Sequence, residues 1–112
     1  MLFRSATPTA TPDPTCGSIG GTVWAFIGGQ LVVPTDRVSM SVWKKINEID
    51  RLVATTLSDE DGNYFFACVS AGTGYLVDGL VIIDSIPYVG YQAGIQVLAK
   101  LETSPVDIIL FP

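Results

Sequence analysis

Histidine is absent from all 112 residues, and that absence removes a large part of catalytic chemistry at once. Without imidazole there is no Ser-His-Asp or Cys-His nucleophile pair and no His-ligated zinc, and two cysteines cannot close a four-thiolate cage. Cationic side chains are scarce as well: six Lys and Arg stand against eleven Asp and Glu, a net charge of −5. A nucleic-acid partner selects clustered positive charge, so none is expected. No apolar run approaches the roughly 20 residues of a bilayer-spanning helix, so no membrane span is expected. There is no Asn-x-Ser/Thr sequon. Nor does an apolar h-region follow Met1, so no signal peptide is visible and a mature or truncated chain is expected. The stretch Leu2-Phe3-Arg4-Ser5 also resembles a translated adapter remnant, which would leave residues 1 to 5 outside the natural chain.

What is present is apolar. Hydrophobic residues make up 48% of the chain and charged residues 15%, which suits one domain with one core. A mean hydropathy of +0.44 is high for a free-standing monomer, so part of the surface is expected to lie under a partner.

The chain divides at Cys16. Residues 1 to 15 form an arm, in which residues 5 to 15 hold three prolines and four threonines. That composition favours extended polyproline II and builds no core. Thr7, Thr9, Thr11 and Thr15 are candidate O-glycan acceptors, or else belong to an unmodified spacer. At about 3.1 Å per residue the arm reaches roughly 45 Å, enough to cross a neighbouring domain. Cys16 and Cys68 are the only available pair, and an even count in a short, exported-looking chain favours a disulfide over two buried thiols.

Residues 16 to 112 read as about seven strands. They are expected over residues 17 to 27, around Val38, Met40 and Val42, over 52 to 57, 63 to 69, 75 to 83 and 88 to 101, and from Val106 to Phe111. Tyr64, Phe66 and Cys68 are expected on one side of their strand. No segment carries helical periodicity, so the expected fold is all-β, a single antiparallel sandwich. The acidic run Asp59-Glu60-Asp61-Gly62 reads as the turn of a β-hairpin. Catalysis by its carboxylates is not expected, nor is any cofactor. Asp59, Asp61 and Asn63 offer oxygen at alternate positions, but with Gly62 at the fourth position and no Glu at the twelfth they depart from a helix-loop-helix calcium loop.

The pieces Gly17-Ser18-Ile19-Gly20-Gly21-Thr22-Val23, the stretch from Ala54 through Asp59-Glu60-Asp61-Gly62-Asn63 to Phe66, Gly72-Thr73-Gly74-Tyr75, Val89-Gly90-Tyr91 and Val106-Asp107-Ile108-Ile109-Leu110 carry a resemblance. Over residues 17 to 112 the chain resembles the carboxypeptidase regulatory-like domain, a transthyretin-like, Ig-like β-sandwich also similar to B-type repeats of bacterial surface adhesins. The resemblance implies a fold more than a function, since such domains serve as stalks, accessory modules, adhesin spacers and polymer subunits. The Lys-to-Asn crosslink of some adhesin repeats is not expected, because the first strand has no Lys and the last no Asn.

Trp24, Trp43, Tyr88 and Tyr91 could stack on sugar rings, with Trp43 expected to be the most exposed; aromatics at alternating strand positions otherwise serve packing. On the last strand, Val106, Ile108 and Leu110 are expected to face the core, leaving Ile109 and Phe111 outside beside Asp107. The expected function is an extracellular or cell-surface structural protein. Its copies would associate head to tail into a homopolymer through Leu2, Phe3, Trp43, Ile109 and Phe111. The alternative is a glycan-binding or accessory module of a larger secreted enzyme or adhesin.

Overall fold

The computed structural model describes residues 15–112. The arm positions Leu2, Phe3, Thr7, Thr9 and Thr11 lie outside the described residues. Among the described residues nine strands follow one another: β1 (Cys16–Ile27), β2 (Gln30–Val32), β3 (Ser39–Ile46), β4 (Ile49–Leu57), β5 (Asn63–Ser70), β6 (Gly72–Ile83), β7 (Ile86–Val97), β8 (Glu102–Thr103) and β9 (Ile108–Leu110). They form two packed sheets, a β-sandwich. One sheet has the order β4-β3-β6-β7, antiparallel throughout. The other is built on β1, whose first half lies between β5 and β8 and whose second half lies between β2 and β9.

Two-residue turns set the register. Asn47 and Glu48 join β3 to β4 with φ of 52° and 67°, and Asp84 and Ser85 join β6 to β7 with φ of 50° and 66°. Positive φ at both central residues marks the turn whose twist matches that of the flanking strands. Alternation does the rest: Val38, Met40 and Val42 at β3, and Tyr75, Val77 and Val81 on the neighbouring β6, share the inner face of one sheet and are buried with Ile19, Val23, Tyr64, Phe66, Ile108 and Leu110.

Four expectations need correction. The sandwich is mixed rather than antiparallel, because β8 and β9 run parallel to β1. It has nine strands rather than seven, since β2 and β8 are too short to give a periodic signal. The acidic turn is not a hairpin: β4 pairs with β3 while β5 pairs with β1, so residues 58 to 62 carry the chain from one sheet to the other. Ser58 anchors that crossing from within, its amide donating to Val38 O (3.0 Å) and its Oγ accepting from Val38 N (2.8 Å). Lastly, Cys68 does not share a face with Tyr64 and Phe66. The pairing of β1 with β5 slips between Gly17 and Ile19, so Val69 takes the buried position and Cys68 is exposed.

The C-terminal segment closes one side of the sandwich. Val106 N donates to Gly20 O (2.8 Å), Thr22 N to Asp107 Oδ1 (3.0 Å), and the Tyr64 hydroxyl to Val106 O. Burial, followed by the nearby Asp107 charge, pushes the Tyr64 phenol well above its usual range and keeps it a donor. Past β9, Phe111 exchanges two 2.9 Å backbone bonds with Val89 of β7, joining the sheets. The opposite side stays open. There, among the described residues, β4 pairs only with β3 and β5 only with β1, so each presents a free strand edge.

Candidate functional site

On β6 the side chains that do not enter the core are Leu76, Asp78, Leu80 and Ile82. Asp78 pairs with Tyr91 and Leu80 with Val89 on β7, while Leu76 pairs with Trp43 on β3. The strand period therefore sets Trp43, Leu76, Asp78, Leu80, Val89 and Tyr91 side by side on the outer face. The C-terminal segment adds Ile109 and Phe111 along one border. Together with Asp50 these residues line a concavity of about 700 Å³. Its walls are apolar and open to water: Tyr91 is 70% exposed, Val89 54%, Phe111 50% and Leu80 46%. The Phe26 and Phe111 rings lie 5.7 Å apart, which extends the apolar surface around the closed side.

Two polar groups interrupt this surface. The Trp43 Nε1–H is buried and has no hydrogen-bond partner. The Asp78 carboxyl is close enough to feel it without the pair reaching hydrogen-bond geometry. Desolvation raises the Asp78 carboxyl above its ordinary value of 3.8, against the smaller opposing pull of the Trp43 indole and of Asp78's own amide. A raised carboxyl favours folding fully below its unfolded value, and that contribution is lost as pH rises through the folded value. Asp78→Asn is therefore expected to melt higher than the parent at pH 7 and no higher at pH 3, by thermal denaturation at both pH values. An equal or lower melting point at pH 7 would contradict this.

Three of the residues expected to mediate association, Trp43, Ile109 and Phe111, line this one concavity. Leu2 and Phe3 lie outside the described residues. Trp43 is half-buried rather than the most exposed aromatic; Tyr91 is the more open, while Trp24 is half-buried and Tyr88 is buried. Alternation missed Leu76, Leu80 and Val89, because β6 is apolar in both phases.

The acidic turn is occupied with its own backbone. Asp59 Oδ1 accepts from the amides of Asp61 and Asn63, each at 2.9 Å, and Asn63 Oδ1 accepts from Thr22 Oγ1 at 2.9 Å. One oxygen each of Asp59 and Asn63 thus already serves the fold, and among the described residues no three His, Cys, Asp or Glu side chains gather as metal ligands. The concavity is lined mainly by apolar side chains, with the Asp50 and Asp78 carboxyls and the Trp43 indole as its polar groups.

At the far end of the sandwich, Cys16 and Cys68 form a disulfide. Thr15, the last arm residue, is exposed, and its carbonyl accepts from Ala71 N at 2.8 Å. No helix among the described residues is long and apolar enough to cross a membrane. No family model matches the chain, and no curated protein matches it.

Proposed function

We propose that this protein is an extracellular structural subunit whose copies associate head to tail into a filament. The apolar outer face of the β4-β3-β6-β7 sheet carries the reading. A surface of this composition faces water at a cost, and in a chain with no catalytic inventory a second protein surface is its natural cover. The disulfide and the Thr-Pro arm agree with an oxidising, exported setting. The resemblance to carboxypeptidase regulatory-like domains, some of which act as polymer subunits, points the same way.

The contact is heterologous. The concavity and the root of the arm occupy different parts of the molecule, so a subunit that offers its arm to one neighbour keeps its face free for another. Contacts of that kind propagate into an open polymer when the rotation does not close. Covering each half-exposed side chain of the face gives roughly 1 kcal/mol, against about 4–15 kcal/mol for the lost freedom of the partners. The face alone is therefore marginal, and a second contact is required.

Leu80→Glu combined with Tyr91→Arg places charge on the exposed face without touching the core. By light scattering and electron microscopy the parent chain is expected to form filaments, and the variant to stay as single chains with an unchanged melting temperature. Filaments of the variant equal to the parent's would reject the face as the contact.

A glycan-binding module is the second reading. It is favoured by the unpartnered Trp43 N–H beside Asp78 and Tyr91, an aromatic platform with polar groups at its floor. Glycan-array binding that Trp43→Ala and Tyr91→Ala abolish, from a parent chain that forms no polymer, would favour it.

A further inference from the structure

The second contact has a candidate in the chain itself. Residues 6 to 15 read Ala-Thr-Pro-Thr-Ala-Thr-Pro-Asp-Pro-Thr, a strict alternation in which every proline is even-numbered. In an extended strand each residue points its N–H and C=O to one edge and the next residue points them to the other. Pro8, Pro12 and Pro14 therefore strip donors from one edge only, and Thr7, Thr9, Thr11 and Asp13 keep the other edge whole. Side chains sort in the same phase, with Ala6, Pro8, Ala10, Pro12 and Pro14 on one face and the hydroxyls of Thr7, Thr9 and Thr11 on the opposite face. Prolines on an edge strand occupy the side that no neighbour uses. The segment is thus spelled as a strand that pairs on one side only.

The sandwich offers a matching edge. β4 has nine residues and, among the described residues, pairs only with β3. It carries no proline, and it exposes Ile49 at 56%, Leu52 at 53% and Leu57 at 56%. Its register with β3 slips once, between Ala54 and Leu52, leaving regular pairing on either side. The free edge of β5 exposes a single large hydrophobic residue, Phe65, and β2, which also pairs only with β1 among the described residues, is three residues long. The nine arm residues 6 to 14, at about 3.3 Å each, span roughly 30 Å, and β4 has nine residues as well.

Direction decides between one copy and two. Thr15 accepts a backbone bond from Ala71 N at the start of β1, so an arm that continues in line with β1 would leave the sandwich at that end. Reaching its own β4 would take a full reversal within Pro12-Asp13-Pro14, where fixed φ angles favour extension.

We propose that residues 6–14 of one copy add as a strand to the free edge of β4 in the next copy, pairing through the odd-numbered residues and laying the Ala/Pro face over Leu52 and Leu57. The mode is β-strand addition, with backbone bonds supplying affinity and the alternate side chains supplying register. It rests on the filament reading and supplies the contact that the apolar face lacks.

Moving prolines between phases tests the proposal in the full chain, outside the folded domain. Ala6→Pro with Ala10→Pro adds prolines to the unused edge and is expected to assemble like the parent. Thr9→Pro with Thr11→Pro removes donors from the pairing edge and is expected to lose assembly at least tenfold, with the same melting temperature. Hydrogen exchange across β4 is expected to slow at least tenfold in assembled parent chains and not in dilute ones. If the Thr-to-Pro pair assembles normally, or both pairs fail alike, strand addition is overturned while the filament reading stands. Protection gained on β5 instead of β4, or already present on β4 in dilute single chains, overturns the assignment of the edge or of the second copy. A parent chain that never assembles overturns the filament reading and this proposal with it.

Discussion

Cys68→Ser is expected to lower the stability of the sandwich by on the order of 4 kcal/mol, because the bond closes a loop of 52 residues in the unfolded chain. The Cα atoms of Cys16 and Cys68 lie 5.3 Å apart, within the span that a disulfide bridges without moving the backbone. Cys16 opens β1 at the arm's root, while Cys68 sits at the slip in the β1–β5 pairing. Losing the bond therefore loosens the point through which any pull on the arm enters the sheet. Denaturant unfolding of oxidised, reduced and substituted chains checks this. A midpoint unchanged on reduction would mean that the strands alone hold that corner.

Gly90→Val is expected to cost about 3 kcal/mol or more, a size typical of severe overpacking. A Cβ at Gly90 would stand 2.0 Å from Ile109 O, and Gly21 faces Val106 O at the same distance. These two glycines let the C-terminal segment pass against both sheets. A side chain at Gly90 must lift Ile109 away and break the paired bonds between Val89 and Phe111. The effect reaches function, because Ile109 and Phe111 form one border of the apolar face. Circular dichroism melting should fall steeply, and assembly should fail with it. A fully stable Gly90→Val chain would show that the closed side is not held as described.

The sequence made some of this architecture legible and hid the rest for identifiable reasons. Val38, Met40 and Val42 alternate with Ser39 and Ser41, so their strand and its buried face could be read directly. β6 could be located but not oriented, since Leu76, Leu80 and Ile82 are as apolar as Tyr75, Val77 and Val81; that ambiguity concealed the candidate face. The Asp59–Gly62 signal announced a turn, yet turn chemistry is local and does not say which sheet the next strand joins. Cys68 was placed on the wrong face because one slip in pairing reverses every later position. The closure of the sandwich was illegible, since β8 is too short to leave a periodic mark, alternation in the last strand does not name β1 as its parallel partner, and the need for glycine at 21 and 90 arises only when distant segments meet. Ile109 and Phe111 were readable as outward residues, because the last strand alternates cleanly with Val106, Ile108 and Leu110.

The account stands or falls on assembly. The parent chain with its disulfide intact, at micromolar concentration, should scatter light as a polymer whose mass grows with concentration. Electron microscopy of the same sample should show unbranched filaments of uniform width. A monodisperse solution of single chains across that range, with no filaments on the grid, would contradict it.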